Sequence, residues 1–261
     1  MAERWGFYFA NVDGKPSSLN VNLTLNESAP DPDRPWLGSL FVRMRSTNDN
    51  GFPTAEEYRA ILRLEEGVRE IIAPADAILI GQVTGGGIRQ VVFYGADETR
   101  LREALDCVVA RFTDYDILKP WTEFDEYWNY YREFLYPGPE NLQSIENREV
   151  VTELQGYGDD LTRERPVSHF VYFRTENDRS LFVDETASLG FTVELSDTDD
   201  EKAPYCAQLE RVDRVDFRSI DKVTLPVFRA AVAHNGEYDG WECPVILREE
   251  VETSPSVAPG G

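Results

Sequence analysis

From Trp36 to Pro120 the spacing of apolar residues switches between two periods in a fixed order: strand, helix, strand, strand, helix, strand. The second helix is the strictest part. Leu101, Ala104, Leu105, Val108, Val109 and Phe112 recur at i, i+3, i+4, i+7, i+8 and i+11, one apolar stripe that a sheet has to cover. The first helix, inside "GFPTAEEYRAILRLEEGVREII", opens with Thr54 and Glu57 in capping-box spacing and places Tyr58, Ile61, Leu62, Val68, Ile71 and Ile72 at helical intervals before Pro74 stops it. The glycine run Thr84–Gly87 turns "ADAILIGQV" into "IRQVVFYG" as a hairpin, and "YDILKP" supplies the last short strand. Ahead of this set, "WGFYFANV" and "SSLNVNLTL" form a further hairpin across "DGKP". Behind it, Trp121, Phe124, Trp128, Tyr131 and Leu135 fall on one face of an expected aromatic helix, which "LYPGPE" breaks.

The same order returns in the second half. After a leading helix from about Asn141 to Gln155 come the strand "VSHFVYF", a helix capped by Thr175, and the hairpin "GFTVEL"/"APYCAQLERV" across the acidic tip "SDTDDEK". A helix between Ser219 and Asn235 follows, with Pro226 marking a late start or a kink, and "GEYDGWECPVI" ends the fold as a strand. The expected class is α+β, two ferredoxin-like β-α-β-β-α-β domains over residues 1–139 and 140–250, with 251–261 a disordered tail. The first domain carries the extra N-terminal hairpin and the aromatic helix.

Charge narrows the function. The formal net charge is −22, and both halves contribute: Met1–Glu140 holds 23 acids and 14 bases, the remainder 25 and 12. Without a basic stripe to neutralise phosphates, direct nucleic-acid binding is disfavoured and a basic protein partner is favoured. Cys107, Cys206 and Cys243 are widely spaced and odd in number, which argues against a disulfide framework and for a reducing cytoplasmic setting. No apolar run reaches the length of a membrane span.

Candidate chemistry is sparse. Ser46, Asn48, Asn50, Gly51 and Glu57 match positions of a calcium loop, but the first position lacks aspartate and Pro53 replaces the bridging apolar residue. A turn followed by a capping box accounts for the same residues. Gly85, Gly86 and Gly87 lead into a strand instead of a helix, so a hairpin turn fits better than a phosphate cradle. Asp197–Glu201 could bind a cation weakly, but a solvated hairpin tip is the simpler reading. His169 with Cys206 or Cys243 could form a nucleophile–base pair or a partial metal site if the sheet brings them together; a buried cysteine and a hydrogen-bonded histidine are the commoner outcome. "HFVYF" has the aromatic character of an RNA-recognition strand, but "APYCAQLERV" lacks the basic partner motif, so both faces of this strand are expected to be covered. In "NGEYDGWECPVI", Gly236 suits a left-handed helix end, Gly240 a bulge and Pro244 an edge strand. Trp241 is expected to anchor the fold, while Glu237, Tyr238, Asp239 and Trp241 together form the expected partner contact. No catalytic residue, metal or cofactor is expected.

Two resemblances are carried by specific strings. At "RPVSHFVYF", "LGFTVEL" and "GEYDGWE" the second half resembles the regulator of ribonuclease E activity B family, over about Asn141–Ile246. At "WGFYFANVDGKPSSLNVNL", "NGFPTAEEYRAIL" and "FLYPGPE" the first half resembles the domain-of-unknown-function 695 family. The first resemblance implies an acidic, non-enzymatic bacterial protein that binds the nuclease and restrains RNA decay, with no catalytic residues to carry over. The competing expectation is a small-molecule-binding or hydrolytic enzyme whose site lies at the domain junction, lined by the aromatic segment Trp121–Leu135.

Overall fold

The computed structural model describes residues 3–248, and the chain divides between Leu142 and Gln143 into two units. The expected disordered tail 251–261 lies outside the described residues. In chain order the first unit runs β1 (Trp5–Val12), β2 (Lys15–Asn22), β3 (Trp36–Arg43), α1 (Ala55–Ile72), β4 (Ala77–Gly85), β5 (Ile88–Gly95), α2 (Glu98–Arg111), β6 (Asp116–Ile117), β7 (Trp121–Phe124) and a π-helical segment, Tyr130–Leu135. Then come α3 (Pro139–Gly156), β8 (Arg165–Phe173), α4 (Glu176–Thr186), β9 (Thr192–Asp197), β10 (Tyr205–Asp213), α5 (Ile220–Ala233) and β11 (Glu237–Glu242). Both sheets are antiparallel throughout, and the class is α+β.

The first sheet has the order β1-β2-β4-β5-β3-β6, with β7 also paired to β3. The apolar stripes of α1 and α2 meet over β3 and β5. Ile61, Leu64, Val68 and Ile72 from α1 and Leu101, Leu105 and Val108 from α2 pack on Leu40, Val42, Val91 and Phe93. Tyr58 and Leu62, two of the residues expected in the α1 stripe, stay exposed. Thr54 caps α1 by accepting from the Glu57 amide at 3.3 Å, while the Glu57 carboxylate turns to the Arg45 amide at 3.1 Å.

The aromatic helix is corrected. Trp121–Phe124 is a strand on β3, paired Trp36–Phe124 to Ser39–Trp121. The outer edge of β3 needs a hydrogen-bonding partner along its whole length, and β6 covers only Val42 and Arg43. Pro120 separates the two short partners. The chain then turns through Trp128 at φ 54° into the π-helical segment. Trp128, Tyr131 and Leu135 are fully buried on the sheet face away from α1 and α2. Trp128 stacks on Tyr94 at 4.2 Å, and the hydroxyls of Tyr8 and Tyr131 donate to the Leu135 and Asn22 carbonyls. Trp128, Tyr131 and Leu135 thus close a core, while Trp121, Phe124 and Tyr130 line a surface groove of about 490 Å³ within the first unit.

The second sheet has the order β11-β8-β10-β9. α4 and α5 cover one face through Phe182, Val227, Ala230 and Ala231 on Val171, Phe173, Ala207 and Leu209. α3 closes a second cluster, where Val151 and Leu154 meet Leu161, Val167, Val215, Ile220 and Trp241. α5 runs unbroken through Pro226. Its end corrects the glycine reading: Asn235, at φ 55°, is the left-handed residue, and the Gly236 amide donates to the Ala231 carbonyl at 2.7 Å. Gly236 is there for another reason, since a Cβ on it would lie 2.4 Å from the Phe173 ring.

Candidate functional site

Antiparallel pairing puts directly opposed residues on the same face of a sheet. Along β8 the odd residues Arg165, Val167, His169, Val171 and Phe173 are buried under the helices. The even residues point the other way. Tyr172 opposes Cys206 and Glu237, Phe170 opposes Gln208 and Gly240, and Ser168 opposes Glu210 and Glu242. Beyond β10 the row continues through Ser196, Glu194 and Thr192. This face is therefore open, which corrects the expectation that both faces of the strand are covered: Phe170 and Tyr172 are half-buried, and Glu194, Glu210, Glu237 and Glu242 are exposed around them.

The bulge between Tyr238 and Gly240 adds Asp239 to this set. Burial raises the pKa of Tyr172, and the charge of Asp239 raises it further, so Asp239 sits within electrostatic reach of the Tyr172 ring. Gly240, at φ 107°, is the position that lets the strand bulge there. None of the strand residues on this face is a lysine or arginine. The result is an aromatic centre flanked by strand carboxylates, with Arg174 and Lys202 beyond the strand ends on the Tyr172 side.

The remaining candidates separate. His169 opposes Leu209 and Cys206 opposes Tyr172, so the two lie on opposite faces of the sheet. Nδ1 of His169 is 2.8 Å from the Tyr238 hydroxyl, and its Nε2 is buried without a hydrogen-bond partner among the described residues. Burial, aided by the charge of Arg211, lowers the His169 pKa to about 4, which keeps the ring neutral. Burial pushes the thiols of Cys206 and Cys243 up, so neither is an activated thiolate. Among the described residues no group of His, Cys, Asp and Glu is arranged to hold a metal ion.

Of the four residues in the expected partner contact, two turn inward. Trp241 is 9% exposed, packs on Val151 and Val167, and donates from its indole to Asn147 Oδ1 at 3.0 Å. Asn147, fully buried, in turn donates to Asp221 and Thr224. Tyr238 packs with His169 and Phe228, and burial raises its pKa. Glu237 and Asp239 remain at the surface. Cys243 belongs to a different cluster, beside the fully buried Asp159–Arg165 pair at 2.6 Å. Arg165 also donates to the carbonyls of Asp160, Arg163 and Pro244, and Asp159 accepts from the Ile246 amide. This pair ties the last segment of the fold to the loop after α3, and single-sequence reasoning missed it. So did the acidic face, although alternation along "RPVSHFVYF", once its pairing register is known, would have drawn it.

At the end of the sheet a polar cleft of about 630 Å³ brings Arg174 and Lys202 near Asp178, Asp200 and Glu237, without a dominant charge. No helix among the described residues is long and apolar enough to cross a membrane.

Comparison with known proteins gives two family matches. Residues 3–136 match the family of unknown function DUF695, and residues 144–243 match Regulator of ribonuclease activity B. No curated protein matches the chain. Two solved structures align with 81% of it at 11% identity. One is an unknown protein from Galdieria sulphuraria, covered over 99% of its length with a TM-score of 0.23. The other, a "putative glycine cleavage system transcriptional repressor", is covered over 98% with a TM-score of 0.25. At these scores neither likeness bears on fold or function. The chain belongs to the DUF695 family, with a second half that matches the regulator of ribonuclease activity B family.

Proposed function

We propose that this chain is a non-enzymatic, cytoplasmic regulator that acts by binding a protein, and that the open face of the second sheet is its contact surface. The partner is a basic segment of a ribonuclease or of a protein assembled with it. One observation carries the reading: Glu194, Glu210, Glu237, Asp239 and Glu242 surround Phe170 and Tyr172 on a face to which the strands contribute no cation. Carboxylates in this density repel phosphate and attract Arg and Lys, and half-exposed aromatic rings add cation–π contacts to an arriving guanidinium. The match of residues 144–243 to a ribonuclease regulator supports the choice of partner.

The strand orders support two ferredoxin-like domains divided near residue 140. β6-β3-β5-β4 and β11-β8-β10-β9 each follow the 4-1-3-2 pattern of a split β-α-β, with β1 and β2 added beside β4 in the first. Open sheet faces of this plan are natural docking platforms.

Cleavage of a single-stranded RNA by a purified endoribonuclease of the RNA-decay machinery tests the function. Added protein should slow cleavage in a salt-sensitive way. A variant with Glu194, Glu210 and Glu242 changed to Gln should lose most of that effect. Unchanged cleavage at every protein concentration would refute the regulatory role.

A further inference from the structure

The first unit carries a cavity that the proposed partner contact does not use. Two helices cannot cover a sheet this wide: α1 and α2 pack on β3 and β5, while β1, β2 and β4 extend past them on the same face. Between α1 and this extension lies a cavity of about 850 Å³, in the size range of small-molecule sites. Phe7 and Phe9 of β1 form one wall, and Tyr58 and Ile61 of α1 form the opposite one.

The third wall is built by the two motifs that sequence analysis assigned to simple turns. In the loop after β3, Asn48 Oδ1 accepts from the amides of Asn50 and Phe52, closing a tight turn. Gly51, at φ 79°, lies so close to the β4–β5 turn that a Cβ would sit 2.9 Å from the Gly86 Cα. The Gly87 amide donates to the Gly51 carbonyl at 3.0 Å, and the Met44 amide to the Gly87 carbonyl at 2.9 Å. The glycines thus lock one loop against the other and fix Phe52 edge-on to Phe9, 6.0 Å between centroids. Phe9 is in turn edge-on to Phe7 at 5.0 Å. The aromatic wall is preformed.

The floor is polar but electrically balanced. Arg89 donates from Nε to Glu65 at 2.6 Å and from Nη1 to Thr84 at 2.5 Å, with both charged side chains nearly buried. Ser18 and Asn20 complete it. A charged ligand would compete for one member of this pair and strand the other in a largely apolar site. A neutral ring meets no such penalty, stacks against the phenylalanines, and can place one polar substituent on the floor.

We propose that this cavity binds a neutral, planar aromatic small molecule carrying a single hydrogen-bonding group. The test is titration of the full chain by ligand-observed NMR and calorimetry with indole and p-cresol, against benzoate and benzylamine as charged controls. Indole or p-cresol should bind saturably, with the charged pair weaker by about ten-fold or more. Phe9→Asp should weaken the neutral probes by a similar factor with an unchanged melting temperature, because Phe9 is 57% exposed. Phe52→Ala gives an independent check should Phe9→Asp fold poorly. Absence of saturable binding, equal binding of charged and neutral probes, or binding indifferent to both substitutions would overturn the proposal. So would sedimentation showing that the parent self-associates and Phe9→Asp does not, since a second copy would then be the occupant.

Discussion

Trp241 illustrates how one side chain can serve packing and hydrogen bonding together. Its ring fills the core between α3 and β8, and its indole satisfies a fully buried asparagine. Trp241→Ala should destabilise the fold by about 3–5 kcal/mol in a denaturant melt. Trp241→Phe should cost less, on the order of 1–2 kcal/mol, because mainly the hydrogen bond is lost. The Asp159–Arg165 pair behaves differently: removing one partner leaves a charge buried, so Arg165→Met alone should cost roughly 3–5 kcal/mol, and Arg165→Met with Asp159→Leu should recover much of it. His169 links stability to pH. Its folded pKa of about 4 lies below the ordinary value of 6.5. Above pH 6.5 the ring is neutral in both states and its contribution is complete. Between pH 6.5 and 4 the unfolded chain takes up a proton that the folded chain refuses, so stability falls with pH by about 1.4 kcal/mol per unit. In paired melts the stability gap between parent and His169→Gln should narrow as pH is lowered from 7 to 4.5; a constant gap would contradict the assignment.

At the level of elements, the strict stripes and punctuated hairpins were readable because local periodicity fixes them. The stripe Leu101–Val109 lies in α2, with Phe112 at its C-cap, and the "SDTDDEK" tip joins β9 to β10. What failed was the segment Trp121–Leu135, where helical spacing of aromatic residues coincided with a different solution. Its fate was set by the unpaired edge of β3 and by the exposed apolar face of the sheet, neither of which is local information. The helix end before β11 shows the same limit. A glycine there suggested a left-handed residue, yet Asn235 takes that conformation and Gly236 makes room for Phe173. The two positions should respond oppositely to substitution. Asn235→Gly should be neutral or slightly stabilising, while Gly236→Ala should lose about 1–3 kcal/mol through overpacking. Equal effects in thermal melts would show that the distinction is wrong. The acidic face was illegible for a related reason: its carboxylates come from three strands, β9, β10 and β11, and only the pairing register puts them together.

For the molecule as a whole, α3 matters most to the second unit. Val151, Leu154 and Asn147 all belong to its core, so a fragment beginning at Pro139 should melt cooperatively, whereas one beginning at Tyr157 should not. Net charge alone, at −22, would draw any basic molecule, so binding by itself does not locate the contact. Location is what a charge-matched comparison supplies. The decisive measurement is the affinity of a purified RNA-decay ribonuclease for three forms of the chain at fixed moderate salt. They are the parent, a form with Glu194, Glu210, Glu237, Asp239 and Glu242 changed to their amides, and a control with the exposed Glu56, Glu66, Glu70, Glu103 and Asp106 of α1 and α2 changed likewise. Neutralising the sheet face should weaken binding by roughly ten-fold or more, with the control close to the parent. Equal weakening of both variants, or of neither, would contradict a contact through the open face of the second sheet.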